Sequence, residues 1–162
     1  MGAIWGFSML RTAIALLSLL APVAVQAAGD VTTRASIFVE RIDPARTGAR
    51  RVRLEPARQV SPGERLIYVV EYRNTGKRPV QGFTVTNPLP RTVRLDETMD
   101  GSELVSIDGG RSWGALGDLR MTLGNGSWRP ANPEDVTHLR WRVGDRLMQG
   151  ETRRLTFRAI VR

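Results

Sequence analysis

The sequence contains no cysteine and a single histidine, His138, among its 162 residues. The absence of cysteine excludes a disulfide scaffold, a thiolate metal site and a cysteine nucleophile. One imidazole is too few for a metal centre built from histidines. A Ser-His-Asp triad would have to use His138, but the chain has no Gly-x-Ser-x-Gly nucleophile elbow. These absences predict a protein that is not an enzyme and that binds no metal or cofactor.

The acidic residues lack the spacing of a calcium or catalytic site. One cluster falls within a short stretch: Asp96, Glu97, Asp100, Glu103 and Asp108. An EF-hand loop counted from Asp96 puts Ile107 where calcium binding requires a bidentate glutamate. No spacing singles out the carboxylate pair that a glycosidase needs. We expect a solvated loop here, with a looser calcium site as the alternative.

Lysine is almost absent, because Lys77 is the only lysine among 24 basic residues, and the net charge is +8. Two late segments alternate arginine with apolar residues, and their arginines are Arg140, Arg142, Arg154, Arg158 and Arg162. If those segments are strands that pair with their polar faces together, they form one arginine surface. Guanidinium groups bind phosphate and carboxylate bidentately. The alternative is a solvated face whose charge protects the sheet edges.

The charge is not accompanied by signs of nucleic-acid recognition. Aromatic residues make up only 6% of the chain, which gives base stacking little support. No nucleic-acid-binding motif is present. The polyanions expected at such a surface are therefore acidic polysaccharide or lipopolysaccharide rather than a specific nucleic acid.

The N-terminus has the features of a secretory signal peptide. Arg11 precedes an uncharged apolar run over residues 12–25, and small residues follow up to Ala27. Translation from Met9 would give a compact signal as well. A run of about 14 residues is too short to span a membrane, which takes roughly 20. We expect a signal peptide over residues 1–27 and one mature domain over residues 28–162. That domain would have no transmembrane segment, and it would be exported to the periplasm, the cell surface or the medium.

The mature part shows the alternation of antiparallel strands and no sustained helical period. The clearest strands are residues 65–73, 139–143 and 155–161. Weaker candidates are residues 36–42, 52–55, 80–86, 92–95, 103–107 and 111–113. Residues 114–135 are less patterned, and we expect a single helical turn over residues 132–136, capped by Asn132. Seven to nine short strands predict an all-β, immunoglobulin-like antiparallel β-sandwich, preceded by a signal-peptide helix.

Residues 106–113 resemble an Asp-box, the hairpin Ser-x-Asp-x-Gly-x-Ser-Trp. The resemblance implies that the Asp108 side chain accepts hydrogen bonds from turn amides and that Trp113 packs beneath the turn. We predict structural roles for Asp108, Gly110 and Trp113. Contact of Trp113 with a glycan is the alternative.

Residues 60–90 carry a second set of turn and strand signals: Pro62-Gly63, Tyr68, Asn74, Gly76 and Leu89-Pro90. In order and spacing they resemble the bacterial surface repeat called domain of unknown function 11. Asn87-Pro88 departs from that pattern, since the family more often has Asp before Leu-Pro. The resemblance implies an immunoglobulin-like sandwich in an exported or cell-surface protein, and it implies no activity.

Backbone geometry alone also explains the turn residues of this stretch. Pro62 presets φ at the second position of a turn, and Gly63 takes positive φ at the third. Asn74 and Gly76 tolerate left-handed backbone and so end the strand. We predict structural roles for all four residues.

Taken together, these features favour an exported, non-enzymatic interaction or structural module of the bacterial envelope or surface. Its partner would be an envelope or surface protein, or a second copy bound through an edge strand. The segment 153–162 is expected to be that open edge. The alternative is a carbohydrate- or polyanion-binding module that uses the arginine surface.

Overall fold

The computed structural model describes residues 30–43, 51–98 and 101–162. The predicted signal peptide and its helix lie outside these residues. The strands of the described part are β1 Val31–Asp43, β2 Arg51–Pro56, β3 Arg65–Asn74, β4 Phe83–Pro88, β5 Val93–Thr98, β6 Leu104–Ser106, β7 Arg120–Thr122, β8 Trp128–Pro130, β9 His138–Val143 and β10 Thr152–Val161. The described part also contains two 3-10 turns, η1 Leu116–Asp118 and η2 Pro133–Asp135.

The strands form two main antiparallel sheets. One has five strands in the order β2-β1-β3-β10-β5, and the other has three in the order β4-β9-β6. Strands β7 and β8 form a separate hairpin. Buried apolar residues from both sheets make one continuous core cluster. The predicted all-β antiparallel sandwich is therefore confirmed.

Strand β3 is the centre of the larger sheet, and its sequence explains why. Leu66, Tyr68, Val70 and Tyr72 alternate along it and are all buried in the core. On the opposite face Ile67 is only 8% exposed. Strand β3 pairs with β1 on one side and with β10 on the other, so it is an interior strand of the sheet. The predicted strand over residues 65–73 is confirmed.

An aromatic contact joins the two sheets. The rings of Tyr68 and Phe157 are stacked, with centroids 4.6 Å apart, inside the five-stranded sheet. Trp141 of the other sheet meets Phe157 at 5.9 Å. Phe157 is fully buried, and such a side chain contributes about 1.5–3 kcal/mol by leaving water. These rings fix how the sheets lie against each other.

The prediction that residues 153–162 form an open edge is wrong. Strand β10 pairs with β3 on one side and with β5 on the other. Alternation of apolar and polar residues reports which faces of a strand are buried, but not which strands flank it. The edges of the larger sheet are β2 and β5.

Residues 111–113 do not form the predicted return strand. The amides of Arg111 and Ser112 donate to the Asp108 carboxylate and are unavailable to a ladder. Only Gly114 reaches back, through an isolated bridge to Val105. The poorly patterned stretch that follows contains the β7–β8 hairpin, which brings the described strands to ten. The helical turn capped by Asn132 is present as η2.

The turn residues of the 60–90 stretch use two different devices. Gly63 has φ of 86°, and the Glu64 amide donates to the Ser61 carbonyl across the predicted turn. Gly76, by contrast, has no positive φ. A Cβ added to Gly76 would lie 2.4 Å from the Asp30 side chain, so close packing is what requires glycine there.

Asn74 is extended within β3, pairs with Val31 and is fully buried. Its side-chain amide donates to the carbonyls of Arg78 and Leu147, at 2.7 and 3.0 Å. Its side-chain oxygen accepts the Gly76 amide. Asn74 therefore ends the strand through side-chain hydrogen bonds rather than through a left-handed backbone.

Candidate functional site

The five predicted arginines lie in two different sheets. Arg140 and Arg142 belong to β9 in the three-stranded sheet, and Arg154 and Arg158 belong to β10 in the five-stranded sheet. Because β9 and β10 do not pair, the prediction of one continuous arginine surface is wrong. Arg162 follows β10 and donates to the backbone carbonyls of Val93 and Glu134, at 3.1 and 2.7 Å.

The arginines of β10 are neutralised by carboxylates on the outer face of the larger sheet. Arg154 meets Glu71 at 2.9 Å, and Arg158 meets Glu40 at 3.0 Å. Arg65, from the neighbouring β3, meets Asp96 at 2.9 Å. The fields of these arginines are thus cancelled locally, which leaves little attraction for a distant polyanion.

Arg140 and Arg142 have a different environment. The guanidinium carbon of Arg140 lies 3.6 Å from the centroid of the Trp113 ring, and its Nε lies 3.4 Å from the Thr86 hydroxyl. Partial burial, with the positive charge of Arg142 as a second cause, lowers the pKa of Arg140. Within the described ranges, no carboxylate lies at ion-pair distance from either arginine. Among the described residues, the charge of this pair therefore has no carboxylate partner.

The loop beneath Arg140 has the geometry expected of an Asp-box. One Asp108 carboxylate oxygen accepts the amides of Arg111 and Ser112, each at 3.0 Å. The Ser112 hydroxyl donates to the other oxygen at 2.6 Å. These hydrogen bonds, led by that of Ser112, hold the pKa of Asp108 well below its usual range. Trp113 is half-buried and donates from Nε1 to the Gly110 carbonyl, so its indole is held by the loop.

The sheet edge that sequence reasoning missed is β2. It pairs with β1 on one side, and no strand in the described part of the chain pairs with it on the other. Three large apolar side chains are exposed here: Ile42 is 62% exposed, Val52 58% and Leu54 48%. Ile42 and Val52 are direct cross-strand partners, and Leu54 is two residues further along the same face. We call Ile42, Val52 and Leu54 the β2 patch.

The other edges of the two main sheets, within the described ranges, are protected or lack exposed apolar residues. Strand β5 shifts register against β10 between Arg158 and Ala159, and bulges of this kind disfavour further pairing. The short strand β6 is bridged by Gly114. Strand β4 is an edge as well, but its exposed side chains are polar. Within the two main sheets of the described part, only β2 combines an open edge with exposed apolar side chains, whereas the separate β7–β8 hairpin exposes Trp128.

The backbone of β2 is oriented for further pairing. The Ala57 amide donates to the Ile37 carbonyl at 3.0 Å, just beyond the last residue of β2. Residues of an antiparallel strand alternate between bonding to their partner and pointing away from it. Counting back from Ala57, Val52 and Leu54 direct their N–H and C=O groups away from β1. The patch residues on β2 therefore also supply the free hydrogen-bonding groups.

The sequence carried a weak sign of this edge. Val52 and Leu54 alternate with Arg53 and Glu55, which is the pattern of a strand with one apolar face. The pattern does not show that none of the described elements covers that face. The structure shows the exposure of this face, because β2 lies at the edge of the sheet, outside β1.

Other kinds of site have no support in the described ranges. No group of three or more His, Cys, Asp or Glu side chains within them could hold a metal ion. None of their helical segments has the length and apolar character needed to cross a membrane.

Comparison with known proteins gives no relative. No protein-family model matches the chain, no curated protein matches it, and no solved structure matches it. The resemblance of residues 60–90 to domain of unknown function 11 therefore stays a prediction. What the protein does has to be argued from the geometry above.

Proposed function

We propose that the protein is an exported, non-enzymatic interaction module of the bacterial envelope or surface. It binds a protein partner by strand addition to β2. The observation that carries this proposal is the coincidence, on one open edge, of exposed apolar side chains and outward-facing backbone groups. Strand addition uses both, since main-chain hydrogen bonds give affinity and side chains give specificity.

The titratable groups favour a binding role over catalysis. Hydrogen bonds from Arg129, at 2.6 and 2.7 Å, lower the pKa of Asp135 and occupy both of its oxygens. Asp108 is occupied by its own turn. Burial raises the pKa of Tyr68 to about 12, inside the core. These shifts all arise from structural contacts, whereas a catalytic acid or base has its pKa adjusted towards the working pH.

The proposal is tested by crosslinking inside cells. A photoreactive residue is placed at Leu54 in a C-terminally tagged copy of the full gene, and captured species are identified by mass spectrometry. The same residue at Met148, which is 52% exposed and lies outside the patch, is the matched control. We expect one dominant protein adduct at Leu54 that is missing at Met148. Equal or absent capture at both positions would refute strand addition at β2. The mature N-terminus read in the same experiment tests signal cleavage.

A second function, contact with an acidic glycan or lipopolysaccharide, is favoured by one observation. Arg140 and Arg142 carry two adjacent positive charges without a carboxylate partner among the described residues. Trp113 holds the Arg140 guanidinium in place, which lowers the entropy lost when an anion binds. This surface is independent of β2, so the two functions can be separated by mutation.

A further inference from the structure

We infer that the strand added to β2 is the β2 of a second copy of this chain. The two strands would run antiparallel, and the two-fold axis would pass between Leu54 of one copy and Leu54 of the other. The inference rests on the proposed function, because it names the partner of the docking edge proposed above. It would join two five-stranded sheets into one continuous ten-stranded sheet.

The register follows from the rule that directly opposed residues share a face of the sheet. Two symmetric registers keep apolar residues opposite apolar residues. One puts Leu54 opposite Leu54, and the other puts Arg53 opposite Arg53. With Leu54 on the axis, Arg53 of each copy lies opposite Glu55 of the other, which gives two attractive pairs. The other register opposes like charges, which is destabilising. Charge therefore selects the register centred on Leu54.

The backbone supports the same register. Leu54 directs its N–H and C=O away from β1, so two copies of Leu54 facing each other can exchange both hydrogen bonds. Val52 and Ile42 extend the apolar face on each side of the axis, and both are more than half exposed in the single chain. Pairing would place Leu54 against Leu54 of the second copy and Val52 opposite the second copy's Pro56.

Charge also argues for a second copy over an unrelated strand. Arg53 and Glu55 are already within 2.7 Å of each other in the single chain, so the edge carries both signs in adjacent positions. A self-complementary surface of this kind fits its own copy turned by a two-fold rotation. A partner of one charge sign would match only one of the two positions.

The first experiment uses the absence of cysteine. Single substitutions L54C and R53C are made in the full gene, and the purified proteins are oxidised under mild conditions. In the Leu54-centred register, the two cysteines of L54C lie roughly 5.5 Å apart by Cα, within the range of a disulfide. Those of R53C lie roughly 8 Å apart, beyond it. We expect at least about tenfold more disulfide dimer for L54C than for R53C.

The second experiment exchanges charges without touching the apolar residues. R53E alone and E55R alone each place like charges opposite each other, so each should lose self-association in sedimentation velocity. An equal mixture of R53E and E55R restores opposite charges in both pairs and should recover the dimer. The side chain of Arg53 is 64% exposed and that of Glu55 40%, so neither substitution buries a charge, and the melting temperature of each variant checks that it folds.

The outcomes separate this inference from the proposed function. Preferential linking of R53C would overturn the Leu54-centred register. A monomer at all concentrations, with no L54C dimer, would overturn self-pairing. If a crosslinker at Leu54 then captured a different envelope protein in cells, strand addition at β2 would still stand. If it captured nothing, both proposals would fall.

Discussion

The guanidinium of Arg140 lies over the Trp113 ring, 3.6 Å from its centroid, and so ties strand β9 to the Asp-box loop. A cation–π contact of this kind stabilises by about 0.5–2 kcal/mol, depending on how far the pair is removed from water. It also holds the cation in one position beside Arg142. A structural hairpin thereby presents a fixed positive charge on the outer face of the smaller sheet.

The first prediction concerns anion binding at this face. The double variant R140Q/R142Q should elute from heparin at lower salt than the unmodified protein, because it removes two uncompensated charges. The slope of log affinity against log salt concentration should also become smaller by roughly two, because each phosphate or sulfate contact releases about one counterion. Affinity measured across a series of salt concentrations gives both quantities.

R154Q is the matched control, because Arg154 is paired with Glu71 at 2.9 Å. Its loss should change retention less than the loss of either β9 arginine. Equal effects of R154Q and R142Q would mean that heparin responds only to net charge, and the β9 surface would not be a site.

The second prediction concerns acid stability. The pKa of Asp108 is lowered in the folded state, so its contribution to stability is present above the unfolded pKa of about 3.9 and is lost as pH falls below it. In D108N one of the two acceptor oxygens becomes an NH2 donor, so the side chain can no longer accept both the turn amides and the Ser112 hydroxyl. The variant should therefore melt at a lower temperature at neutral pH. Its melting temperature should fall less on acidification than that of the unmodified protein.

Melting curves from neutral pH to pH 3 measure this difference. D118N is the control, because Asp118 is exposed on η1 outside the loop. Parallel acid profiles for D108N and the unmodified protein would contradict the role assigned to this carboxylate.

The third prediction concerns Gly76 and Asp30. G76A should destabilise the fold, because its Cβ would lie 2.4 Å from Asp30 and the chain would have to move. A cost of about 1–3 kcal/mol is typical of such overpacking. Denaturant unfolding measures it.

D30G tests the cause of that cost. In the double variant D30G/G76A the clash is removed, so G76A should cost less in the D30G background than alone. The same cost in both backgrounds would show that glycine is needed here for another reason.

The fourth prediction concerns alkaline pH. Burial raises the pKa of Tyr68 to about 12, so its contribution to stability is present below the unfolded pKa of about 10 and is lost as pH rises towards 12. In a Y72F background, Tyr68 is the only tyrosine, and its ionisation can be followed by ultraviolet absorbance. Ionisation should coincide with unfolding. A reversible transition near pH 10 in the folded protein would refute the buried position of Tyr68.

Local features were predictable from the sequence because neighbouring residues determine them. The alternation of Tyr68 and Tyr72 identified β3, the spacing of Asp108 and Trp113 identified the loop, and Pro62-Gly63 identified a turn. Each depends on backbone geometry over fewer than about ten residues.

Non-local features were not predictable. The position of β10 depends on β3 and β5, which are distant in sequence, and alternation does not report such neighbours. Gly76 is needed because Asp30 packs against it, a contact between residues 46 apart in the sequence. The β2 patch lies at an edge because no strand in the described part of the chain pairs outside β2. In each case the decisive partner, or its absence, lies elsewhere in the chain.

Strand β10 lies between β3 and β5 but comes last in the chain, and this sets the order in which the sheet can form. Its contacts span long stretches of sequence, as between Arg154 and Glu71, which are 83 residues apart. Strands β3 and β5 are synthesised first and must wait for β10 to fill the gap between them. Sheets with such distant pairings fold slowly. Until β10 has been synthesised, no strand can pair with both β3 and β5, and the larger sheet stays incomplete.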